Sequence, residues 1–273
     1  NPGTFAAKLI QMRKSPYLEA WLPRREKLNK LKNEFFYGLT FSDTSLLYSN
    51  AYTSKAIEYM SFYSNPDFNF EEIQAAFIGA VDKIMAKAGE NPKVYNQVLN
   101  YLVGGFEQYH FDEVLAHIAT NWPEDGTCKN EDESTLAKRL ENYKKLANGM
   151  PAPGFEFTDE AGQKHRLSDI KSKKTALVFW ASWCPHCRQI MPEMKKLYGD
   201  FDRDELEIIS ISIDTSRAEW QQAIKTIDAG WLNSCDEKGW DGKAATLYNI
   251  YATPSLFLLD EDKNIISKPM TVS

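Results

Sequence analysis

Apolar positions in the first half of the chain recur with the period of a helix. From Phe70 they fall at Ile73, Phe77, Val81 and Ile84, one face of an α-helix. A second stripe runs Val94, Val98, Leu102 and Phe106. A third runs Leu136, Leu140, Tyr143 and Ala147, with Asn148-Gly149 placed to stop it. Weaker helical patterning covers 4–14, 17–32 and 44–63. Breaks are predicted at Ser64-Asn65-Pro66-Asp67, Gly89-Glu90-Asn91-Pro92 and Asn121-Trp122-Pro123-Glu124-Asp125-Gly126, the last a polar loop leading to Cys128. No fixed period marks a repeat array.

The pattern changes at Gly149-Met150-Pro151-Ala152-Pro153-Gly154, where two prolines and two glycines in six residues predict a linker between domains. Beyond it, short β-rich runs alternate with helical ones. Phe155–Thr158 and His165–Leu167 predict a small β pair around Glu160-Ala161-Gly162-Gln163, and Ser168-Asp169 a short helical turn. Thr175–Ser182 is a continuous apolar run suited to a buried central strand, and Leu206–Ile213 a second. Helices are predicted over Pro185–Tyr198, Ser216–Ile227 and Lys243–Tyr248, and a hairpin from Ser255–Leu259 and Asn264–Ser267 about Asp260-Glu261-Asp262-Lys263. The expected fold class is therefore an all-α domain over 1–148 followed by an α/β domain over 149–273, with a central sheet and flanking helices.

The 273 residues are enough for two domains that each bury a core, and 43% apolar with 26% charged residues is the balance of a folded globular chain. The charge is even-handed. Up to residue 148 there are 17 basic and 19 acidic residues, and after it 15 and 19. Neither half offers the basic surface that nucleic-acid binding needs. No apolar run reaches the roughly 18 residues of a membrane helix. The chain begins Asn1-Pro2-Gly3 without a Met or a basic and apolar leader, as a processed or trimmed chain would, which leaves export open.

Four cysteines are too few for a disulfide scaffold, so each is read singly. Two of them fall in Trp183-Cys184-Pro185-His186-Cys187, where the predicted strand ends and a helix begins. The first turn of a helix presents unpaired N–H groups and the positive end of its dipole, which favour a thiolate. Cys184 is expected at the N-cap, exposed, with Cys187 one turn behind and within reach of a disulfide. Pro185 suits the first helical position, and His186 is expected to add positive charge beside the sulfur. Stabilising the thiolate stabilises the reduced pair and makes its disulfide more oxidising.

Residues 150–268 resemble the TlpA/ResA-like thiol-disulfide oxidoreductases of the thioredoxin-like superfamily. The resemblance is carried by Ala152-Pro153-Gly154-Phe155-Glu156-Phe157-Thr158-Asp159 with Gly162 and Leu167-Ser168-Asp169-Ile170, and by Ala176-Leu177-Val178-Phe179-Trp180-Ala181-Ser182 running into the Cys pair and Arg188. Pro192, eight residues after Cys184, and Ala252-Thr253-Pro254-Ser255 complete it. It implies catalysis by Cys184 and Cys187, pKa tuning by Pro185 and His186, and substrate positioning by Trp183, Thr253 and Pro254, the last as a cis-proline that holds the substrate chain as an added strand. The 70 residues from Cys184 to Pro254 include an insertion typical of this branch. Before residue 148 the resemblance is to uncharacterised helical domains that precede such domains in bacterial envelope proteins. The family normally closes with a helix after the last hairpin, for which 269–273 are too few, so the final helix is expected to be missing.

The chain departs from the family at two places. Val178 stands six residues before Cys184, where many thioredoxins bury a carboxylate, and Ile190 stands three after Cys187, where ResA-like reductases often carry an acid. Glu156, Glu160 or water are the remaining candidates to take the Cys187 proton. The Cys-Pro-His-Cys sequence is that of the oxidase DsbA on a reductase-like frame. The resemblance thus implies disulfide exchange with protein thiols and disulfides in the bacterial envelope or periplasm, with a redox partner protein and a possible membrane tether outside these residues. The reductase direction is favoured over the oxidase one. No metal or organic cofactor is implied, because the sulfurs carry the electrons.

Several blander readings compete. A zinc site would want a second Cys pair, and Cys128 and Cys235 lie far apart in sequence. Those two could be unrelated thiols or a disulfide between domains, with the former favoured. His110 and His117, seven apart, could share a helical face, but no further ligand stands with them. The ten Phe and ten Tyr before residue 148 read as a core with amphipathic edges rather than a peptide groove. The basic stretch Trp21–Lys32 reads as a solvated face. The alternative function is a non-catalytic interaction protein whose Cys pair is a redox-sensitive latch. A thiol peroxidase, which would want a lone reactive cysteine, fits less well.

Overall fold

A computed structural model describes residues 3–123 and 131–269 of the chain. Cys128 and Met270–Ser273 lie outside the described residues, so the pairing of Cys128 with Cys235 and the fate of the final helix do so too. The chain divides into two compact units, Asn1–Lys144 and Lys145–Ser273.

The first unit is helical: α1 (Phe5–Met12), α2 (Arg24–Glu34), α3 (Ala51–Ser61), α4 (Phe70–Ala88), α5 (Pro92–Gln108), α6 (Asp112–Asn121) and α7 (Glu131–Lys145). Local chemistry sets the boundaries. Asn69 caps α4 in a reciprocal capping box with Glu72, and Asn91 caps α5 with Pro92 at its first position. The predicted stripes become the core: Val81 and Ile84 of α4, Val94, Val98, Leu102 and Phe106 of α5, and Leu136, Leu140 and Tyr143 of α7 are buried together. Phe35, Phe41, Tyr52 and Tyr59 pack ring against ring in the same interior, as the aromatic content suggested. Lys55 is only 2% exposed. Its Nζ donates to the Lys14 carbonyl at 2.8 Å and to Glu58 at 3.1 Å, 3.9 Å from the centre of the Phe35 ring.

Four boundaries differ from expectation. Helix α2 starts at Arg24, not near 17, because Pro23 ends the approach and supplies the N-cap. The span 44–63 is split: Asp43 caps a 3₁₀ turn over Thr44–Tyr48, and α3 follows. Helix α7 ends at Lys145, and Leu146 rather than Ala147 is the buried residue there. Gly149 takes the positive φ but sits beyond the helix, where its N–H donates to the Ile265 carbonyl. His110 and His117 do not share a face. His110 is a left-handed residue between α5 and α6, whereas His117 lies on α6, bonded to Asp82 at 2.7 Å.

The second unit is built on a five-stranded mixed sheet with a small antiparallel pair, β1 (Glu156–Thr158) and β2 (Lys164–Arg166), beside it. The sheet order is β5-β4-β3-β6-β7, from β3 (Lys174–Trp180), β4 (Leu206–Ser212), β5 (Leu232–Cys235), β6 (Ser255–Leu259) and β7 (Ile265–Ser267). Helices α8 (Pro185–Gly199), α9 (Arg217–Ile227) and α10 (Lys243–Leu247) complete it. Central strand β3 is buried from Leu177 to Trp180, as a strand covered on both faces must be. Strand β5 was not expected. Its Leu-Asn-Ser-Cys sequence lacks a β-rich pattern, and pairing with β4 recruits it, so Cys235 ends a strand.

The register decides what meets at the end of the sheet. Strands β3 and β4 run parallel with Trp180 opposite Ser212, so the residues just beyond them emerge side by side. Strand β6 runs antiparallel with Ser255 opposite Phe179, so the start of β6 lies at the end of β3. The loop leading into α8, the residues after β4 and the Thr253-Pro254 segment therefore converge from three separated parts of the sequence.

Candidate functional site: the Cys184–Cys187 pair

Helix α8 begins where β3 ends. Cys184 is its N-cap and Pro185 its first residue, and the Cys187 N–H donates to Cys184 Sγ at 3.2 Å. Cys187, Met191, Met194 and Tyr198 form the buried face of the helix, at a spacing that keeps the second sulfur inward. Pro192 lies within the helix. The peptide between Thr253 and Pro254 is cis, and the Thr253 carbonyl accepts from Cys184 Sγ at 3.3 Å.

Cys184 is at the N-cap as expected, but it is not exposed: only 4% of its surface meets solvent. The Thr253 carbonyl lies against the sulfur from the β6 side. The cover is thin, since Trp183, Pro185 and His186 are all exposed, whereas Cys187 is wholly buried.

The two thiols are driven apart in acidity. Burial works against the Cys184 thiolate, but hydrogen bonds from the Cys187 thiol, the Thr253 side chain and the backbone N–H groups of Cys187 and His186 outweigh it. Its pKa falls below that of an ordinary thiol. Burial first, and then the neighbouring Cys184 sulfur, raise the pKa of Cys187. One thiolate at the helix start and one retained proton behind it is the charge state this geometry favours. The His186 backbone N–H is among the groups that lower the Cys184 pKa, and its side chain is exposed.

Trp183 is 52% exposed, and its ring meets Trp240 with 6.5 Å between ring centres. Val178 is fully buried and Ile190 half-buried, so neither position supplies an acid. Of the acids named as substitutes, Glu156 is tied to Arg166 at 2.8 Å and Glu160 to Asn233 at 3.0 Å. Two features escaped the sequence. Trp240 follows β5 and is half-exposed beside Trp183. Asp214, two residues past β4, is buried and bonded to Ser182. Both depend on the register of the sheet, which no local pattern displays. Cys235 is buried, its thiol donating to the Asp214 carbonyl at 3.3 Å, and burial raises its pKa. Among the described residues no group of three or more His, Cys, Asp or Glu is arranged to hold a metal ion.

Comparison with known proteins agrees with this geometry. The AhpC/TSA family matches residues 148–268. The thiol-disulfide oxidoreductase ResA of Bacillus cereus is 33% identical over 124 residues, covering 45% of this chain and 70% of its own. The thioredoxin-like protein YneN of Bacillus subtilis is 33% identical over 119 residues, covering 42% of this chain and 67% of its own. A crystal structure of a thioredoxin-like protein from Bacteroides caccae aligns over 94% of both chains with a TM-score of 0.62 at 18% identity, a likeness of fold that takes in the helical unit as well. With a thioredoxin-like unit following a helical one, and relatives of that name over two thirds or more of their length, the chain belongs to the ResA/TlpA-like thiol-disulfide oxidoreductases.

Proposed function

We propose that the chain reduces disulfides of protein substrates in the bacterial cell envelope through Cys184 and Cys187. The observation that carries this reading is the asymmetry of the pair: Cys184 Sγ accepts an N–H at the start of α8, while Cys187 is sealed behind it. Attack by the Cys184 thiolate forms a bond to one substrate sulfur and breaks the substrate disulfide, and the departing sulfur takes a proton. Cys187 then loses its proton and attacks Cys184 Sγ. That closes the 184–187 disulfide and expels the second substrate sulfur. Two electrons pass from the pair to the substrate, and a dithiol protein donor returns them.

The substrate chain enters beside Thr253 and Pro254 as an added strand, which displaces the Thr253 cover and opens Cys184 to the incoming disulfide. Trp183 bounds the entry. Pro185 fixes the first turn of α8, and His186 supplies a backbone dipole. The reductase direction is supported by the groups that stabilise the thiolate: the Cys187 thiol, the Thr253 side chain and the backbone N–H groups of Cys187 and His186 are all neutral. Among the described residues no helix is long and apolar enough to cross a membrane. Placement in the envelope rests on family resemblance, and a tether would lie outside these residues.

Equilibrating the pair against a glutathione series tests both direction and chemistry. A reductase should give a potential at or below about −200 mV, together with insulin reduction that Cys184→Ser abolishes. A value near about −120 mV would reverse the direction. Insulin reduction that survives Cys184→Ser would remove the assignment.

A further inference from the structure

We infer that Asp214 is a positioning residue for the Cys pair, holding the loop that presents Cys184 by binding Ser182 with both carboxylate oxygens. The proposal rests on Cys184 being the attacking sulfur. Asp214 is 1% exposed. Its Oδ2 accepts the Ser182 N–H at 2.9 Å, its Oδ1 accepts the Ser182 hydroxyl at 2.7 Å, and Ser212 donates to Oδ2 at 2.5 Å. The Asp214 N–H in turn donates to Ser212 Oγ at 3.0 Å. A carboxylate buried to this degree is retained only where it is well satisfied, and here the donors are neutral groups rather than a cation.

The register of the sheet explains the placement. Trp180 lies opposite Ser212, and the Ile213 N–H donates to the Trp180 carbonyl at 2.9 Å, so Ser182 and Asp214 emerge together two residues later. Ser182 is the last residue before Trp183-Cys184. Its carbonyl also accepts from Arg188 Nη1 at 3.5 Å, so the loop is gripped at its N–H, hydroxyl and carbonyl. Cys184 completes the turn by donating its N–H to the Ala181 carbonyl at 3.2 Å. The sulfur keeps its place at the helix start and under Thr253 only while this turn holds. Asp214 reaches Cys184 through the chain, by way of its two bonds to Ser182.

The test is the pH profile of Cys184 alkylation by iodoacetamide in the folded, reduced protein, with insulin reduction measured alongside. Asp214→Ala should move the midpoint upward by about one unit and slow alkylation at neutral pH about tenfold, equivalent to about 1.4 kcal/mol. Ser182→Ala, which removes one of the two contacts and little volume, should move it the same way by less. Asp214→Asn can still accept the Ser182 N–H and donate to the Ser182 hydroxyl, so it should recover most of the loss. A residue that only supports the fold would lower the melting temperature and leave the midpoint unchanged. Wild-type midpoints in both Asp214→Ala and Ser182→Ala overturn the proposal, as does Asp214→Asn behaving like Asp214→Ala. Should Asp214→Ala fail to fold, a wild-type midpoint in Ser182→Ala is enough to overturn it. An ordinary thiol midpoint in the wild-type protein removes the Cys184 reading itself, a result distinct from the others.

Discussion

The Thr253 carbonyl lies 3.3 Å from Cys184 Sγ, although 69 residues separate them in the chain. The antiparallel pairing of β6 with β3 brings them together, and it makes the lid over the sulfur part of the surface against which a substrate strand is proposed to dock. Entry of substrate and uncovering of the nucleophile are then one event.

Selective labelling should follow from the burial and acidity of the thiols. In the native reduced protein, Cys184 should alkylate with a midpoint below the ordinary thiol range. Cys187 and Cys235 should resist, because burial raises both. Denaturant should make all of them reactive. Mass spectrometry of tryptic peptides reads the outcome, and early labelling at Cys187 would contradict it.

Cys187→Ser should trap substrate. With Cys184 free to attack and no second sulfur to resolve the adduct, mixed disulfides should accumulate and disappear on adding a small dithiol. Non-reducing electrophoresis against Cys184→Ser, which should trap nothing, measures this.

In the helical unit, Lys8 and Ser45 hold the Asp43 carboxyl down at about 2, with Lys8 Nζ 2.7 Å away. A pKa depressed in the folded state adds stability that is complete above the unfolded value of about 3.8 and is lost as pH falls through the folded one. Asp43→Asn should therefore cost about 1 kcal/mol near neutrality, allowing for partial exposure, and progressively less as the pH falls from the unfolded value to below the folded one. Urea melts of both proteins across that range give the difference directly.

Leu99 on α5 is fully buried in the helical core. Leu99→Ala should cost about 2–5 kcal/mol, the transfer term plus the cavity left behind. The fall in urea midpoint at unchanged slope measures it.

The long helices and the active-site strand could be read from the chain because each signal is local. The α5 stripe from Val94 to Phe106 is a period, and β3 is an apolar run next to a cysteine and a proline. Strand β5 could not be read, since Leu232–Cys235 is a strand only because β4 offers it a partner. The Cys pair and its N-cap were visible as a motif. The cover over Cys184 was not, because it comes from Thr253, and Asp214 was not, because its nearness to Ser182 is a product of strand pairing.

The interior ammonium of Lys55 ties the front of the chain to the aromatic centre of the helical unit. One of its two oxygen partners is the backbone of Lys14, just past the end of α1. Any truncation that removes the first fourteen residues would leave a cation facing Phe35 with Glu58 alone for company. The backbone around Lys14 thus completes the Lys55 site, and shortened versions should keep it.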